Sequence, residues 1–472
     1  MRDAETDTGG GRGGAARTPS GAPTRSAPRG PTRRGLLRGA AALAATGAGA
    51  LALGGCGDAL ARTVTGGQGP SGRIDFWNPF TGGDGQRMEE MIAAYRKTPG
   101  GHDVRSTTLT WGSPYYTKLS LAALGDSPPE VAVVHLSRLP SLARGGLVKP
   151  LETGRLKRHG LTAGRFDPRP WDKAHVDDRL YAVPLDTHPF VLYANTDVCE
   201  KAGLLEDGRL PALEGPDAFV EALRAVKEVT GAYGVSMASR ADPGTSWRMF
   251  YTLYCQLGDG PQTVLLADGG TEVRLDEGRA EEAFAFLRRL SVEERLLPRG
   301  ADGPGAIGLF TGGRAGLLLD GAWQLPAIEA AKIPFDMRPT PRFFTDGPFA
   351  NYADSHALAL PANAAHVDET LDFVAGMLDD AQTWATGGHV PAWLPVQQSD
   401  AYKELTPQSH YAAAADAALY DPDAWYSGAG STLQNQLGGV VAGVIGGLTR
   451  PAAAVRSLRD KLTVLAATSA PV

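Results

Sequence analysis

The 472-residue chain contains only three cysteines, and it has no run of 18 uninterrupted apolar residues. Three cysteines cannot build a disulfide scaffold, and without a longer apolar run no permanent membrane span is expected. Excess positive charge is also missing, since the net charge is −6 and the pI is about 5.9. That balance argues against general binding to nucleic acid. With 43% hydrophobic residues, the chain is globular and long enough for about two to three domains.

The motifs of common enzyme classes are absent as well. The sequence has no P-loop, no His-Glu-x-x-His, no G-x-S-x-G elbow and no cysteine pair at metal spacing, and its nine histidines are scattered. We therefore expect no enzyme, no metal ion and no cofactor, and the scattered histidines disfavour a cofactor-carrying oxidoreductase. An alternative stays open, because a secreted carbohydrate-active enzyme could bring together distant carboxylates such as Asp186 and Asp320.

The N-terminal segment, residues 1–55, has the character of an export signal. It holds eight arginines against three acidic residues, and Arg33-Arg34 precede a weakly apolar stretch over residues 39–55. Paired arginines before such a stretch resemble a twin-arginine signal peptide. The run ends in Leu53-Gly54-Gly55-Cys56, which resembles a bacterial lipobox, so that Cys56 would carry the lipid. Ordinary cleavage that leaves a free thiol is the alternative. Residues 56–71 then predict a flexible tether.

Beyond the tether, short apolar runs alternate with helical periodicities, the pattern of an α/β protein. Residues 74–77 and 131–134 predict strands, and so do residues 317–319 and 357–360. Met88, Met91, Ile92 and Tyr95 fall at the spacing of one buried helix stripe. Further helices are predicted from residue 217, around residue 284, from residue 367, and through most of residues 433–465. Cys199 and Cys255 fall in predicted helices, where we expect buried free thiols.

The order of these pieces is similar to that of the family 1 extracellular solute-binding proteins, the carbohydrate receptors of ABC importers. Three segments carry most of the resemblance: Phe76 to Gly85 (FWNPFTGGDG), which opens into the first helix; Tyr181 to Asp186 (YAVPLD), followed by Tyr193-Ala194-Asn195-Thr196-Asp197; and Ala315 to Trp323 (AGLLLDGAW). Trp111-Gly112 and Gly125 to Val131 add to it. The chain departs from the family at Asp320, where a neutral residue is common.

The resemblance implies a type II periplasmic-binding-protein fold with two α/β lobes, a hinge and a ligand cleft between the lobes. It places the N-terminal lobe at residues 72–186 and 321–375, and the C-terminal lobe at residues 187–320 and 376–472. It implies an extracytoplasmic receptor, and the lipobox resemblance adds an anchor to the cell membrane through lipidated Cys56. Such a receptor binds a sugar or oligosaccharide by hinge closure and docks on permease subunits that use a separate ATPase.

A sugar presents apolar faces and a rim of hydroxyl groups, so its site needs flat aromatic side chains with hydrogen-bonding groups around them. Trp323 is the first candidate because the resemblance places a stacking aromatic there, and Trp247, at the opening of a helix, is the second. Core packing is the alternative for any isolated tryptophan. The polar candidates each lie next to a predicted strand or turn: Asp186, Asp84, His188, His135 and Asp354. For Asp84, a helix N-cap is an equal alternative.

Overall fold

The computed structural model describes residues 73–125, 127–258, 265–347 and 349–470. The predicted signal peptide, the lipidation site Cys56 and the tether lie outside these residues. Within the described part of the chain, no helix is both long enough and apolar enough to span a bilayer.

Strands are distributed along the whole described chain and are numbered here in chain order. They are β1 (Arg73–Asn78), β2 (Asp103–Thr108), β3 (Val131–His135), β4 (His175–Val176), β5 (Arg179–Leu180), β6 (Ala182–Pro184), β7 (Asp186–Asn195), β8 (Tyr233–Ser236), β9 (Leu266–Ala267), β10 (Glu272–Val273), β11 (Ala315–Gly321), β12 (Phe335–Pro339), β13 (Asn351–Asp354), β14 (His356–Ala359), β15 (Val390–Pro391) and β16 (Ala418–Leu419).

Helices alternate with these strands. They are α1 (Gly82–Tyr95), α2 (Ser113–Leu124), α3 (Leu139–Arg144), α4 (Thr153–Arg158), α5 (Pro168–Lys173), α6 (Thr196–Lys201), α7 (Pro216–Thr230), α8 (Pro243–Gln256), α9 (Glu277–Arg288), α10 (Gly303–Thr311), α11 (Leu325–Glu329), α12 (Val367–Asp379), α13 (Ala381–Ala385), α14 (Leu394–Gln397), α15 (Asp400–Lys403), α16 (Gln408–Tyr411), α17 (Thr432–Ile445) and α18 (Pro451–Ala467).

The first of two large sheets has the strand order β2-β1-β3-β14-β6. β1 pairs in parallel with β2 and β3, whereas β14 runs antiparallel to β3 and β6. The apolar stripe predicted on α1 is confirmed, because the buried residues of that helix are Met88, Met91, Ile92 and Tyr95. They join a core built on the buried face of this sheet, since i, i+3, i+4 and i+7 share one face of a helix.

The second sheet is organised around β7, whose ten residues are all buried. Its strand order is β16-β13-β7-β11-β8, and β12 and β15 also pair with β7. A separate apolar core, rich in residues of α7, α8, α9, α17 and α18, covers this sheet. A strand buried on both faces lacks the polar alternation of a surface strand, which explains the nearly continuous apolar run Phe190-Val191-Leu192-Tyr193-Ala194.

The chain passes between the two sheets at two neighbouring points, and after β14 it returns once more to the second sheet, which contains β15 and β16. At one of them β6 ends at Pro184 and β7 begins at Asp186; at the other β13 ends at Asp354 and β14 begins at His356. The two crossings are hydrogen-bonded to each other, since the Leu185 N–H donates to the His356 carbonyl over 2.8 Å. This pairing brings residues that are 170 positions apart in the sequence into direct contact.

The predicted fold class is confirmed: the chain has a two-lobed α/β architecture of the type II periplasmic-binding-protein kind. Cys199 and Cys255 are buried free thiols in α6 and α8, as expected. The lobe boundaries stay a prediction. β12 and β13 fall within residues 321–375, expected in the N-terminal lobe, yet they pair with β7 in the second sheet. That pairing favours a return to the first lobe at β14.

Candidate ligand-binding cleft

A cleft with a volume of about 780 Å³ lies where the two sheets meet, and its walls come from both. Residues 79–84 and 111–114 line it from the side of the first sheet, because they follow β1 and β2 at their carboxyl ends. Residues 241–244, at the start of α8, line it from the side of the second sheet. The carboxyl ends of parallel strands are the usual place for a ligand in an open α/β sheet.

Two indole rings line this cleft, one from the side of each sheet. Trp323 lies in the short 3₁₀ turn after β11, and its ring packs so closely on Gly321 that a Cβ there would collide with it. Trp111 lies between β2 and α2, is 43% exposed, and rests on the His135 ring at a centroid distance of 4.7 Å. Two large flat surfaces facing one space are suited to the apolar faces of a sugar.

A cation completes one wall of the cleft. The guanidinium of Arg248, on α8, lies 5.1 Å from the centre of the Trp323 ring and 5.7 Å from that of Tyr352. Its Nε is buried without a hydrogen-bond partner. Burial alone would lower the pKa of Arg248, but the Tyr352 hydroxyl and the Asp242 carboxylate raise it. Arg248 is therefore a charged donor held over an aromatic face.

Asp186 connects the residues beneath the cleft. Its Oδ1 accepts the His356 N–H over 2.8 Å and lies 3.1 Å from His188 Nδ1. Its Oδ2 accepts the Trp384 Nε1–H over 2.6 Å and lies 2.8 Å from His356 Nδ1. Burial alone would raise the pKa of Asp186, but the histidines around it hold that pKa well below its usual range. Asp186 itself does not line the cleft.

His389 joins this carboxylate to a second one. Its Nδ1 lies 3.0 Å from Asp186 Oδ2, and its Nε2 lies 3.2 Å from Asp84 Oδ1. Burial alone would lower the pKa of His389, but the two carboxylates raise it to about 9. The side chain is thus an imidazolium at neutral pH. Asp84 has no N-cap role, since α1 is preceded by Thr81 and Asp84 is its third residue.

His188 and His135 both line the cleft and are both neutral. Burial, together with the His356 ring, lowers the pKa of His188 to about 3 and holds that of His135 well below its ordinary value. Within the described residues, the Nε2 atoms of these two rings make no hydrogen bond, since their contacts are made through Nδ1. The rings can offer a ligand either an unprotonated nitrogen or an N–H.

Two further predicted site residues lie away from the cleft. Trp247 is fully buried in the core of the second sheet, where its Nε1–H donates to Asp421 over 2.6 Å. Trp247 therefore packs in the core, which was the stated alternative to contact with a ligand. Asp354 is buried at the second crossing, where it accepts hydrogen bonds from the Ser137 hydroxyl and backbone N–H. Neither side chain faces a ligand in the cleft.

Sequence reasoning did not select four residues that line or support the cleft: Trp111, Arg248, His356 and His389. Arg248 follows the candidate Trp247 directly, and one residue along a helix rotates the side chain by about 100°. That rotation moves Trp247 into the core and Arg248 into the cleft. Trp111 carried a signal, since it stands in the motif Trp111-Gly112 between a strand and a helix.

Asp320, a departure from the family pattern, also lines the cleft. Burial raises its pKa to about 7, although the Gly321 N–H donates to its Oδ1 over 2.7 Å. Of the carboxylates Asp186 and Asp320, which we named for the enzyme alternative, only Asp320 borders the cleft.

The fold and the cleft define a two-lobed binding protein of the periplasmic type. The model of the bacterial extracellular solute-binding protein family matches residues 81–384, and the chain belongs to this family. The family resemblance stated from the sequence is thereby confirmed. Membership indicates a binding protein that works outside the cytoplasm. No curated protein matches the chain.

Solved structures of sugar-binding proteins share the fold at low sequence identity. The GacH receptor of Streptomyces glaucescens, solved unliganded and with acarbose, is 20% identical with a TM-score of 0.70, over 84% of this chain and 98% of that one. Maltose-bound T. maritima MalE3 is 17% identical with a TM-score of 0.70, over 83% and 99%. Lmo0181 of Listeria monocytogenes, in complex with cycloalternan, is 16% identical with a TM-score of 0.69, over 83% and 98%.

Proposed function

We propose that this protein is the substrate-binding lipoprotein of an ABC importer, and that it captures a sugar or oligosaccharide in the cleft. The observation that carries this proposal is the pair of indoles, Trp111 and Trp323, which line the same cleft, one from the side of each sheet. The family match supports a binding role, and the structural neighbours are sugar-binding proteins.

The polar groups around the indoles suit a ring of hydroxyls. Asp84 and Asp320 provide carboxylate oxygens as acceptors, Arg248 provides guanidinium N–H donors, and His135 and His188 provide ring nitrogens. Hydrogen bonds with one charged partner are about twice as strong as neutral ones. A few such groups beside an aromatic face orient a sugar without requiring a charge on the ligand.

Hinge closure is supported by contacts between the rims of the cleft. The Ser113 hydroxyl, at the start of α2, donates to the Gly430 carbonyl over 2.8 Å, and the Arg138 guanidinium donates to the Ser427 carbonyl over 3.1 Å. Two further cleft-lining residues also touch, since a Cβ on Gly83 would lie 2.5 Å from the Pro326 ring. We propose that ligand binding favours this closed arrangement, because both walls contact the sugar only when the rims meet.

Anchoring and delivery complete the proposal. Acylation of Cys56 would hold the receptor at the membrane surface, and the tether at residues 56–71 would let the lobes reach the permease. The closed form would then release its sugar to permease subunits whose ATPase is a separate polypeptide, since this chain has no P-loop.

The test is calorimetric titration of the full chain with maltose, acarbose and cycloalternan, the ligands of the structural neighbours. We expect one sugar to bind saturably at one site and to be recovered intact. Trp111→Ala and Trp323→Ala should each weaken binding by about tenfold or more, because one aromatic contact contributes about 0.5–1.5 kcal/mol beyond its buried area.

Trp425→Ala is the matched control, because it removes an indole that does not border the cleft. It should leave the affinity unchanged. Wild-type protein that binds none of the sugars would reject carbohydrate as the ligand. Recovery of a cleaved sugar would instead support the alternative, a secreted carbohydrate-active enzyme.

A further inference from the structure

Among the residues that the structure describes, the charged side chains that line the cleft are mostly acidic. Three of them are carboxylates and one is a cation, namely Asp84, Asp242 and Asp320 against Arg248. Asp84 reaches the cleft from the side of the first sheet, whereas Asp242 and Asp320 belong to the side of the second. Negative charge therefore borders the ligand space on the side of each sheet.

The imidazolium beneath the cleft does not offset this acidic excess. His389 is a single positive charge between two carboxylates, since its ring nitrogens lie 3.2 Å from Asp84 Oδ1 and 3.0 Å from Asp186 Oδ2. Burial lowers the pKa of His188 and of His135, so these two lining rings add no positive charge. The acidic excess therefore remains when the layer beneath the cleft is included.

Asp320 is a buried carboxylate whose bonded partners are all neutral. It is 2% exposed, and its partners are the Gly321 N–H, at 2.7 Å, and the Gln324 amide. Within the described residues no ion pair involves Asp320. Burial raises its pKa to about 7, as expected for a carboxylate without a bonded cation. The titratable groups that face it are Asp242 and Arg248, at the start of α8, and the Tyr193 hydroxyl of β7.

A charged amino group compensates such a carboxylate better than a hydroxyl group does. A buried charge is costly unless an opposite charge is bonded to it, and an ammonium donor supplies that charge together with the hydrogen bond. A neutral sugar leaves the acidic excess of the cleft in place, and an acidic sugar adds to it. Because the chain departs from the family pattern at Asp320, a neutral cargo shared with the family does not explain this residue.

We propose that the cleft selects a saccharide that carries a positively charged amino group, and that Asp320 is the carboxylate that binds this group. The inference rests on the proposed function, because it names the class of sugar that the cleft takes. Asp320 lies three residues before Trp323, and both line the cleft from the side of the second sheet. A sugar stacked on this indole can therefore direct an amino substituent toward the carboxylate. Asp84 and Asp242 add to the attraction at longer range.

Arg248, the cation that lines the cleft, opposes the binding of a second cation. Its guanidinium lies 5.1 Å from the centre of the Trp323 ring. Burial alone would lower the pKa of Arg248, but the Tyr352 hydroxyl and the Asp242 carboxylate raise it. Its charge is thus supported mainly by groups other than Asp320. Removal of this charge should increase the preference for an amino sugar, which distinguishes the inference from a general loss of binding.

The experiment compares sugars that differ only in carrying an amino group or a hydroxyl group at C2 of each ring. Titration calorimetry of the full chain at neutral pH uses glucosamine against glucose, galactosamine against galactose, mannosamine against mannose, and the chitosan disaccharide against cellobiose. We expect at least one amino sugar to bind at least about tenfold more tightly than its hydroxyl counterpart, a difference of about 1.4 kcal/mol. Diaminobutane tests whether an amine binds without a sugar ring, and it should bind far more weakly.

Two variants change the charge of the cleft in opposite directions. Asp320→Asn keeps the shape of the side chain and should weaken amino-sugar binding by about tenfold or more, because it removes one partner of a buried charge pair. Its affinity for the hydroxyl counterpart should change much less. Arg248→Gln should instead increase the ratio of the two affinities, although it weakens both. The control is Asp354→Asn, which alters a buried carboxylate that does not line the cleft; its ratio should equal that of the wild type.

Failure of this inference is distinguishable from failure of the proposed function. Wild-type protein that binds no amino sugar, or binds none more tightly than its counterpart, overturns the inference, as does a preference that Asp320→Asn retains. If Asp320→Asn does not fold, an unchanged or lower ratio in Arg248→Gln overturns it. Diaminobutane that binds as tightly as the amino sugar also overturns it, because the sugar ring then has no role. Binding of maltose or cycloalternan without any preference for an amino group leaves the proposed function standing.

Discussion

Replacement of His389 by glutamine should remove one specific part of the dependence of stability on pH. The His389 imidazolium lies between Asp84 and Asp186, with both ring nitrogens 3.0–3.2 Å from carboxylate oxygens. Burial opposes the charge, but the two carboxylates raise the pKa of His389 from 6.5 to about 9. Glutamine keeps a hydrogen-bonding side chain of similar length and cannot take up a proton.

The size of the effect follows from that pKa. Because the folded protein holds the proton more tightly than the unfolded chain, the charge contributes stability that is fully present below pH 6.5. It is lost as the pH rises through 9. A rise of about 2.5 pKa units at 1.36 kcal/mol each corresponds to about 3 kcal/mol. Between pH 6 and pH 9.5, the free energy of unfolding should therefore fall by about 3 kcal/mol more in the wild-type protein than in His389→Gln.

The assay is urea unfolding of both proteins at pH 6 and pH 9.5, followed by tryptophan fluorescence and by circular dichroism. Agreement of the two probes is needed before a free energy of unfolding is assigned, since two lobes can unfold separately. Titrating groups that do not contact His389 are common to both proteins and cancel in the comparison. The reasoning is refuted if the difference in stability between wild type and His389→Gln is the same at both pH values.

Two further substitutions separate the binding wall from the core. Gly321→Ala should weaken sugar binding by about tenfold or more and cost about 1–3 kcal/mol of stability, because the added methyl group collides with the Trp323 ring. Titration calorimetry measures the affinity and thermal melting measures the stability. An unchanged affinity would contradict the assigned role of Trp323. Trp247→Phe removes the 2.6 Å hydrogen bond to buried Asp421 and should cost about 1.5–3 kcal/mol, while a sugar affinity that also fell tenfold would place Trp247 in the site after all.

The reach of sequence reasoning differs from one element to the next. The α1 stripe and the buried run of β7 were predictable, because helix and strand periodicities place apolar residues on a face that must leave water. Trp323 was predictable as a cleft residue only through the order of the family segments. Trp247 could not be placed from its local sequence, because the start of a helix shows where a residue lies along the chain but not the face of the helix on which its side chain lies.

The sequence alone determined the α/β alternation, the export-like N-terminal segment and the absence of local catalytic motifs, since each depends on neighbouring residues. It could not show that His135, His188, His356 and His389 belong together. Those four histidines are scattered along the chain and match no metal spacing. Only the tertiary structure unites them, because the chain crosses between its sheets at two adjacent points and so brings Asp186 and His356 side by side. Side chains that are distant in sequence become neighbours through the pairing of strands. The strands pair in this way because the pairing buries the apolar faces of both sheets.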